Sequence, residues 1–184
     1  MVGVGGQGTI LASKILSAGL VSAGYDVKMS EIHGMAQRGG CVTTQVRYGS
    51  EVFSPIIGLG QADILVSFET MEALRRLENL KIVGKIIVND YKIPSAPILS
   101  GKADYPIDVL GILKEKADTT VIDAATIAEK VGNAKTMNIV LFGAMVKAMG
   151  LQDIDWEAAI KENVKEKFVD VNLKAFNAGM SSIK

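Results

Sequence analysis

The sequence predicts a single α/β domain, a three-layer α/β/α Rossmann-like arrangement with a mostly parallel sheet and an inserted antiparallel hairpin. Three observations point there. A glycine-rich turn, Gly3-Val4-Gly5-Gly6-Gln7-Gly8-Thr9, lies within the first ten residues and runs straight into an apolar helical segment, as in a nucleotide-binding strand-turn-helix unit. Short apolar strands and amphipathic helices then alternate along most of the chain, the pattern of helices packed on a buried sheet. Among them, Cys41 to Tyr48 alternates strictly between two faces and is followed by Gly49-Ser50, which reads as one arm of a β-hairpin.

Composition supports one core. At 184 residues a chain buries roughly 70% of its surface on folding, and no internal repeat, low-complexity segment or composition break marks a second domain, so residues 1–184 read as one unit. Hydrophobic residues make up 48% and aromatics only 5%, the balance of aliphatic helices on a parallel sheet. Lysine plus arginine equals aspartate plus glutamate at 20 each, which gives no basis for a nucleic-acid or membrane-surface partner. Cys41 is the only cysteine. The chain therefore supplies no disulfide, no cysteine-rich zinc site and no iron-sulfur cluster of its own, and no metal site is expected. No uninterrupted apolar run reaches the ~18 residues of a spanning helix, and no signal-peptide pattern opens the chain; a cytoplasmic protein is expected.

In order, the strand before the glycine turn is represented by little more than Met1-Val2, either a truncated start or a stub. Thr9 to Ala23 is helical, with Leu11, Ile15 and Ala18 beside Ala12, Leu16 and Gly19, and only Ser13, Lys14 and Ser17 as a polar strip. Tyr25 to Ser30 returns as a strand, completing a β-α-β turn. Glu31 to Gly40 has neither helical nor strand period and reads as a loop at the carboxyl end of strand two, where open α/β sheets bind ligands. Cys41–Tyr48 and Val52–Ile57 form the expected hairpin, with Pro55 placing the second arm at an edge or bulge. Ala62 to Phe68 is a buried strand. A helix from Thr70 follows, with Met71, Leu74 and Leu77 inward and Glu72, Arg75, Arg76 and Glu78 as a solvated face. Lys85 to Asn89 is another strand, and Pro94, Pro97, Gly101 and Pro106 punctuate an irregular connector. Asp108 caps a helix to Lys116; Thr119 to Asp123 is a strand and Ala124 to Val131 a helix. Thr136 to Met149 is a strongly apolar helix ended by Gly150. Asp155 caps a helix with Trp156, Ile160, Val164 and Phe168 in line, and Lys165 to Ala178 continues as a further amphipathic segment.

For function, Gly3 suits the tight turn, Gly5 close approach of a phosphate, and Gly8 close packing of helix on strand, while the helix start offers N–H groups and a positive dipole end. Gly3, Gly5, Gly6, Gln7, Gly8 and Thr9 are thus candidate ligand-binding residues. Alone, the turn fits NAD, FAD, an S-adenosyl ligand, coenzyme A or no ligand. Glu31, His33, Gln37 and Arg38 are the polar groups concentrated across from it; His33 by itself suits a structural hydrogen-bonding role better than a catalytic one, and it is their concentration between glycines that points to a site.

Together, Gly3-Val4-Gly5-Gly6-Gln7-Gly8, the loop Ser30-Glu31-Ile32-His33-Gly34-Met35-Ala36-Gln37-Arg38-Gly39-Gly40 and the near-terminal Asn172-Leu173-Lys174-Ala175-Phe176 resemble the beta subunits of indolepyruvate:ferredoxin oxidoreductases. These belong with the gamma domains of 2-oxoacid:ferredoxin oxidoreductases. The resemblance runs nearly end to end, and the His33-to-Gly40 run resembles the indolepyruvate branch specifically. It implies one gamma-type catalytic domain over residues 1–184. The implied reaction converts an aryl 2-oxoacid, coenzyme A and oxidised ferredoxin to an aryl-acetyl-CoA, carbon dioxide and reduced ferredoxin. Thiamine diphosphate and the 4Fe-4S clusters are expected in a large alpha subunit, with this chain as its obligate partner and holding no cofactor alone. The glycine turn is then expected to meet coenzyme A, Arg38 to hold a carboxylate or phosphate, and His33 to orient a group or shuttle a proton.

The resemblance also leaves room for a gamma subunit acting on another 2-oxoacid, such as pyruvate, 2-oxoisovalerate or 2-oxoglutarate, and two further readings fit the residues. One is an NAD-dependent oxidoreductase, because Glu31 lies 23 residues after Gly8, close to the ~20 expected for the acid that binds ribose hydroxyls; the stub strand and the hairpin count against it. The other is a scaffold subunit whose two loops only form an interface.

Overall fold

A computed structural model describes residues 1–34 and 39–183. Its strands are β1 (Val2–Val4), β2 (Asp26–His33), β3 (Cys41–Gly49), β4 (Ala62–Ser67), β5 (Leu80–Asn89) and β6 (Asp118–Ile122), joined in one sheet in the order β2-β3-β1-β4-β5-β6. β1, β4, β5 and β6 pair in parallel, and β3 is antiparallel to both β1 and β2. The sheet is therefore mixed and mostly parallel, as expected.

The hairpin itself differs from the expected one. β3 pairs along its length with β2, from Asp26↔Gly49 to His33↔Val42, whereas residues 52–57 form no strand. Side chains hold that segment instead. Gln45 accepts from Ile57 N at 3.0 Å and donates to Ile57 O at 3.4 Å, Arg47 donates to Ile56 O at 3.1 Å, and Val52 N donates to Asp26 at 2.8 Å. With Pro55 lacking an N–H, side-chain amides and a guanidinium substitute for a ladder. β2 in turn packs Val27 and Met29 opposite Tyr48 and Val46, a cross-strand apolar set, and its pairing draws Glu31, Ile32 and His33 out of the expected loop and into strand. β2 still runs parallel to β1 through the helical crossover, but β3 occupies the place between them.

Helices cover both faces. α1 (Thr9–Ser22), α5 (Ala124–Val131), α6 (Met137–Ala148), α7 (Trp156–Asn163) and α8 (Val169–Ser181) lie on one side; α2 (Thr70–Arg75) and α4 (Val109–Lys116) lie on the other, and the short α3 (Ala96–Leu99) sits in the connector. Ile87 packs toward α6 while Ile86 and Val88 pack toward α4, the two-sided burial of an interior parallel strand. α6 is buried continuously from Asn138 to Val146, because it lies between the sheet and α8. There the backbones approach closely: a Cβ on Gly143 would lie 2.1 Å from Phe176 O, and one on Gly179 would lie 2.0 Å from Val140 O. α1 meets α7 through a side chain instead, with Gly19 making room for the Trp156 ring.

Two helical expectations change. Trp156 and Ile160 are buried as expected, but α7 stops at Asn163 and Val164 adopts extended backbone, a conformation suited to a β-branched side chain; Phe168 is consequently exposed. Glu72, expected on a solvated face, is only 2% exposed. It is held by Arg75 Nη1 at 2.8 Å, and its N–H donates to Glu69 at 2.9 Å.

Glu69 is fully buried and caps α2. Its second oxygen accepts from Ile93 N at 3.1 Å and from the Tyr105 hydroxyl at 2.5 Å, while that hydroxyl accepts from Met71 N at 3.0 Å. Burial, then the Glu69 carboxylate, pushes the Tyr105 phenol well above its ordinary value. Because the folded value is raised, this contribution is complete below about pH 10 and is lost as pH climbs toward the folded value. Tyr105→Phe is expected to destabilise the protein by about 2 kcal/mol at neutral pH and to flatten the alkaline limb of its stability curve, as measured by denaturant unfolding at a series of pH values.

Candidate functional site

The glycine turn sits at the carboxyl end of β1. Gly6 and Gly8 have φ of 101° and 81°, a region open to glycine at no cost. Four hydrogen bonds shape the loop: Val4 N donates to Gln7 Oε1 at 2.7 Å, Gln7 N donates to Val4 O at 3.1 Å, Gln7 Nε2 donates to Phe68 O at 2.7 Å, and Gly5 N donates to Gly40 O at 2.8 Å. Gln7 is therefore committed through its side chain, which bridges β1 and the end of β4, and through its N–H, which closes the turn on Val4 O, so it shapes the loop and offers no donor to a ligand. Gly3 is likewise internal, since a Cβ there would lie 2.9 Å from both Gln7 Oε1 and Phe68 Cβ. Thr9 is buried.

The helix start is left open. Gly8 is the N-cap of α1 with no side-chain cap, and no acidic residue occupies the first turn. Among the described residues no acceptor faces the N–H groups of Gly6 or Gly8. Free N–H groups, a positive dipole end and no competing carboxylate suit an anion such as a phosphate.

His33 joins this turn. An open cleft of about 460 Å³ is lined by Gly5, Gly6, Gly8, Thr9, Ile10, His33 and Val42. The reason is register: His33 pairs with Val42 and Gly3 pairs with Val42 across β3, so an exposed imidazole at the end of β2 reaches the same end of the sheet as the turn. Glu31 lies two residues back, opposite Thr44, and does not line the cleft. β3 separates it from β1, so it stands two strand spacings, roughly 10 Å, from the strand that carries the glycine turn. This displacement removes the geometric basis for its ribose-binding role in the NAD reading. Gln37 and Arg38 lie outside the described residues.

Ile10 and Val42 in the cleft, and Asn138 behind it, carry no sequence signal of their own. A Cβ on Gly8 would lie 2.6 Å from Asn138 Nδ2, so the turn is backed directly by α6. Cys41 lies on the opposite face, where burial and then Glu72 push its thiol up; it stays protonated at neutral pH and is no thiolate ligand or nucleophile.

A family model described as pyruvate ferredoxin/flavodoxin oxidoreductase matches residues 1–182. The chain belongs to this family. Within the oxidoreductase family it is 37% identical to the indolepyruvate oxidoreductase subunit IorB of Pyrococcus horikoshii, over 100% of this chain and 94% of the relative. It is 31% identical to the 2-oxoglutarate synthase subunit KorC of Methanothermobacter marburgensis, over 100% of this chain and 94% of that one. Among solved structures, the keto/oxoacid ferredoxin oxidoreductase gamma subunit of Geobacter sulfurreducens superposes with a TM-score of 0.72 at 27% identity, covering 98% of this chain and 94% of the other. The chain is thus an oxidoreductase subunit of the size of these small subunits. No helix among the described residues is long and apolar enough to cross a membrane.

Proposed function

We propose that this chain is the beta subunit of an indolepyruvate:ferredoxin oxidoreductase and that its glycine-turn cleft is one lip of a site shared with a large alpha subunit. The supporting observation is the convergence of free Gly6 and Gly8 N–H groups and the exposed His33 imidazole in one open cleft. These groups fit a phosphate-bearing co-substrate. The turn binds a phosphate through backbone donors, His33 supplies a side-chain hydrogen bond at the rim, and Ile10 and Val42 exclude water from one wall. Coenzyme A, when bound, supplies the thiol that carries away the acyl group. The 4Fe-4S clusters are assigned to the alpha subunit, since this chain offers a single cysteine, and thiamine diphosphate and the contact with ferredoxin are assigned there with them on the family resemblance. Gln37 and Arg38, which lie outside the described residues, are assigned by the family resemblance a role toward the 2-oxoacid, Arg38 as the carboxylate-holding group.

Greater identity to the IorB subunit than to the KorC subunit favours aryl 2-oxoacids. Co-expression with the alpha subunit and assay of CoA-dependent ferredoxin reduction tests this: indolepyruvate and phenylpyruvate are expected to give the highest kcat/KM, and a preference for 2-oxoglutarate or pyruvate would overturn the substrate assignment. His33→Ala is expected to lower kcat/KM for coenzyme A by about tenfold, the worth of one hydrogen bond to a charged group, with the fold of the chain intact because His33 is exposed and with assembly checked in parallel by size-exclusion chromatography. Unchanged kinetics in that variant would leave the cleft as an interface only.

A further inference from the structure

A second cleft, of about 510 Å³, opens on the helical side of the sheet among the start of α6, the end of α7 and the start of α8. Two lysines, Lys135 and Lys165, and four asparagines, Asn133, Asn138, Asn163 and Asn172, line it. No carboxylate lines it, and neither lysine joins an ion pair among the described residues. The positive end of the twelve-residue α6 adds to the lysine charge. It shares no lining residue with the glycine-turn cleft.

The asparagines are oriented. Asn138, Asn163 and Asn172 each spend the amide nitrogen on a backbone carbonyl, those of Gly8, Ala159 and Phe168, at 3.4, 2.9 and 2.7 Å. Their Oδ1 atoms have no donor among the described residues. Asn133 is turned the other way, its Oδ1 accepting from Lys135 N at 3.0 Å, which leaves its Nδ2 to donate. Asn138 and Asn172 are only 6% and 8% exposed, so the bulk of each side chain is fixed in the wall, while their Oδ1 atoms are not among the buried atoms left without a partner and so open toward the cleft. These two oxygens present fixed acceptors to N–H or O–H donors within the cleft. A wall of Leu11, Val164 and the half-exposed Phe168 ring adds an apolar surface suited to a flat heterocycle.

Cations, oriented amide acceptors and an aromatic wall define one ligand class. We propose that this cleft binds a nucleoside phosphate: the phosphate between Lys135 and Lys165, ring amine and ribose hydroxyls on the amide oxygens, and the base against Phe168. Inorganic phosphate satisfies only the lysines. The proposal does not rest on the reading of the glycine turn, and the nucleotide is either free or the nucleotide end of a larger co-substrate.

Calorimetric titration of the assembled oxidoreductase with AMP, adenosine and inorganic phosphate tests it. AMP is expected to bind saturably and more tightly than phosphate, and the Lys135→Ala/Lys165→Ala double variant, changed only at exposed side chains, is expected to weaken AMP about tenfold or more while altering adenosine binding little. Absence of saturable AMP binding, equal affinity in the double variant, or phosphate binding as tightly as AMP would overturn the proposal. Where AMP binds as expected, competition with coenzyme A separates the sources: mutual displacement identifies the nucleotide end of coenzyme A, and simultaneous binding identifies a free nucleotide.

Discussion

Gly179→Ala is expected to destabilise the domain by about 3 kcal/mol or more, at the upper end of overpacking effects. The added Cβ would lie 2.0 Å from Val140 O and 2.8 Å from Val140 C. These are backbone atoms in the middle of α6, so no side-chain rotation relieves the contact and the two helices must separate. α6 is buried along its length, so separation also opens the core beneath it. Gly49→Ala is the control: its nearest contacts would be 3.9 and 4.0 Å away, and it is expected to change stability by no more than about 0.5 kcal/mol. Denaturant midpoints of the two variants measure the difference. Comparable midpoints would mean that α6 and α8 are not held in this crossing.

Trp156→Ala is expected to cost about 4 kcal/mol, in the range for removing a large buried aromatic. The indole is buried at the start of α7, donates from Nε1 to Leu151 O at 2.7 Å and stacks edge-on against Phe142 at 5.3 Å. It also fills the space left by Gly19 on α1. Its loss removes packing from three helices and leaves Leu151 O without its indole partner. Trp156→Phe, which keeps the ring contact but not the donor, is expected to lose less, about 1–2 kcal/mol; thermal or denaturant unfolding separates the two contributions.

Much of this fold is legible in the sequence because its signals are local. The open start of α1 is written in Gly8-Thr9, the end of α6 in Gly150, and the caps of α4, α5 and α7 in Asp108, Asp123 and Asp155, each of which accepts from an N–H three residues on. What the sequence hides is long-range choice. Nothing local to Cys41–Gly49 says whether it pairs forward to Val52 or back to Asp26; the deciding groups are Gln45, Arg47 and Asp26, whose side chains occupy the polar atoms of the 52–57 segment. The burial of Glu72 is equally silent, because its helical position is periodic with outward residues and only the neighbouring Glu69 network draws it in. In the glycine-turn cleft the turn is legible as a motif, and His33 as a polar group near it. The displacement of Glu31 follows from strand order, which spacing along the chain does not encode.

The glycine crossing of α6 and α8 bears on more than stability. Asn138 lies five residues before Gly143 and Asn172 seven before Gly179, so at 1.5 Å per residue each amide is within roughly 7–11 Å of the crossing. A pivot clamped by backbone contact gives short arms little sweep, and the gap between the two amides is fixed when the chain folds. The same Asn138 backs Gly8, so the glycine turn is registered to that pivot too, and the wall that each cleft shares with α6 is set before any occupant arrives.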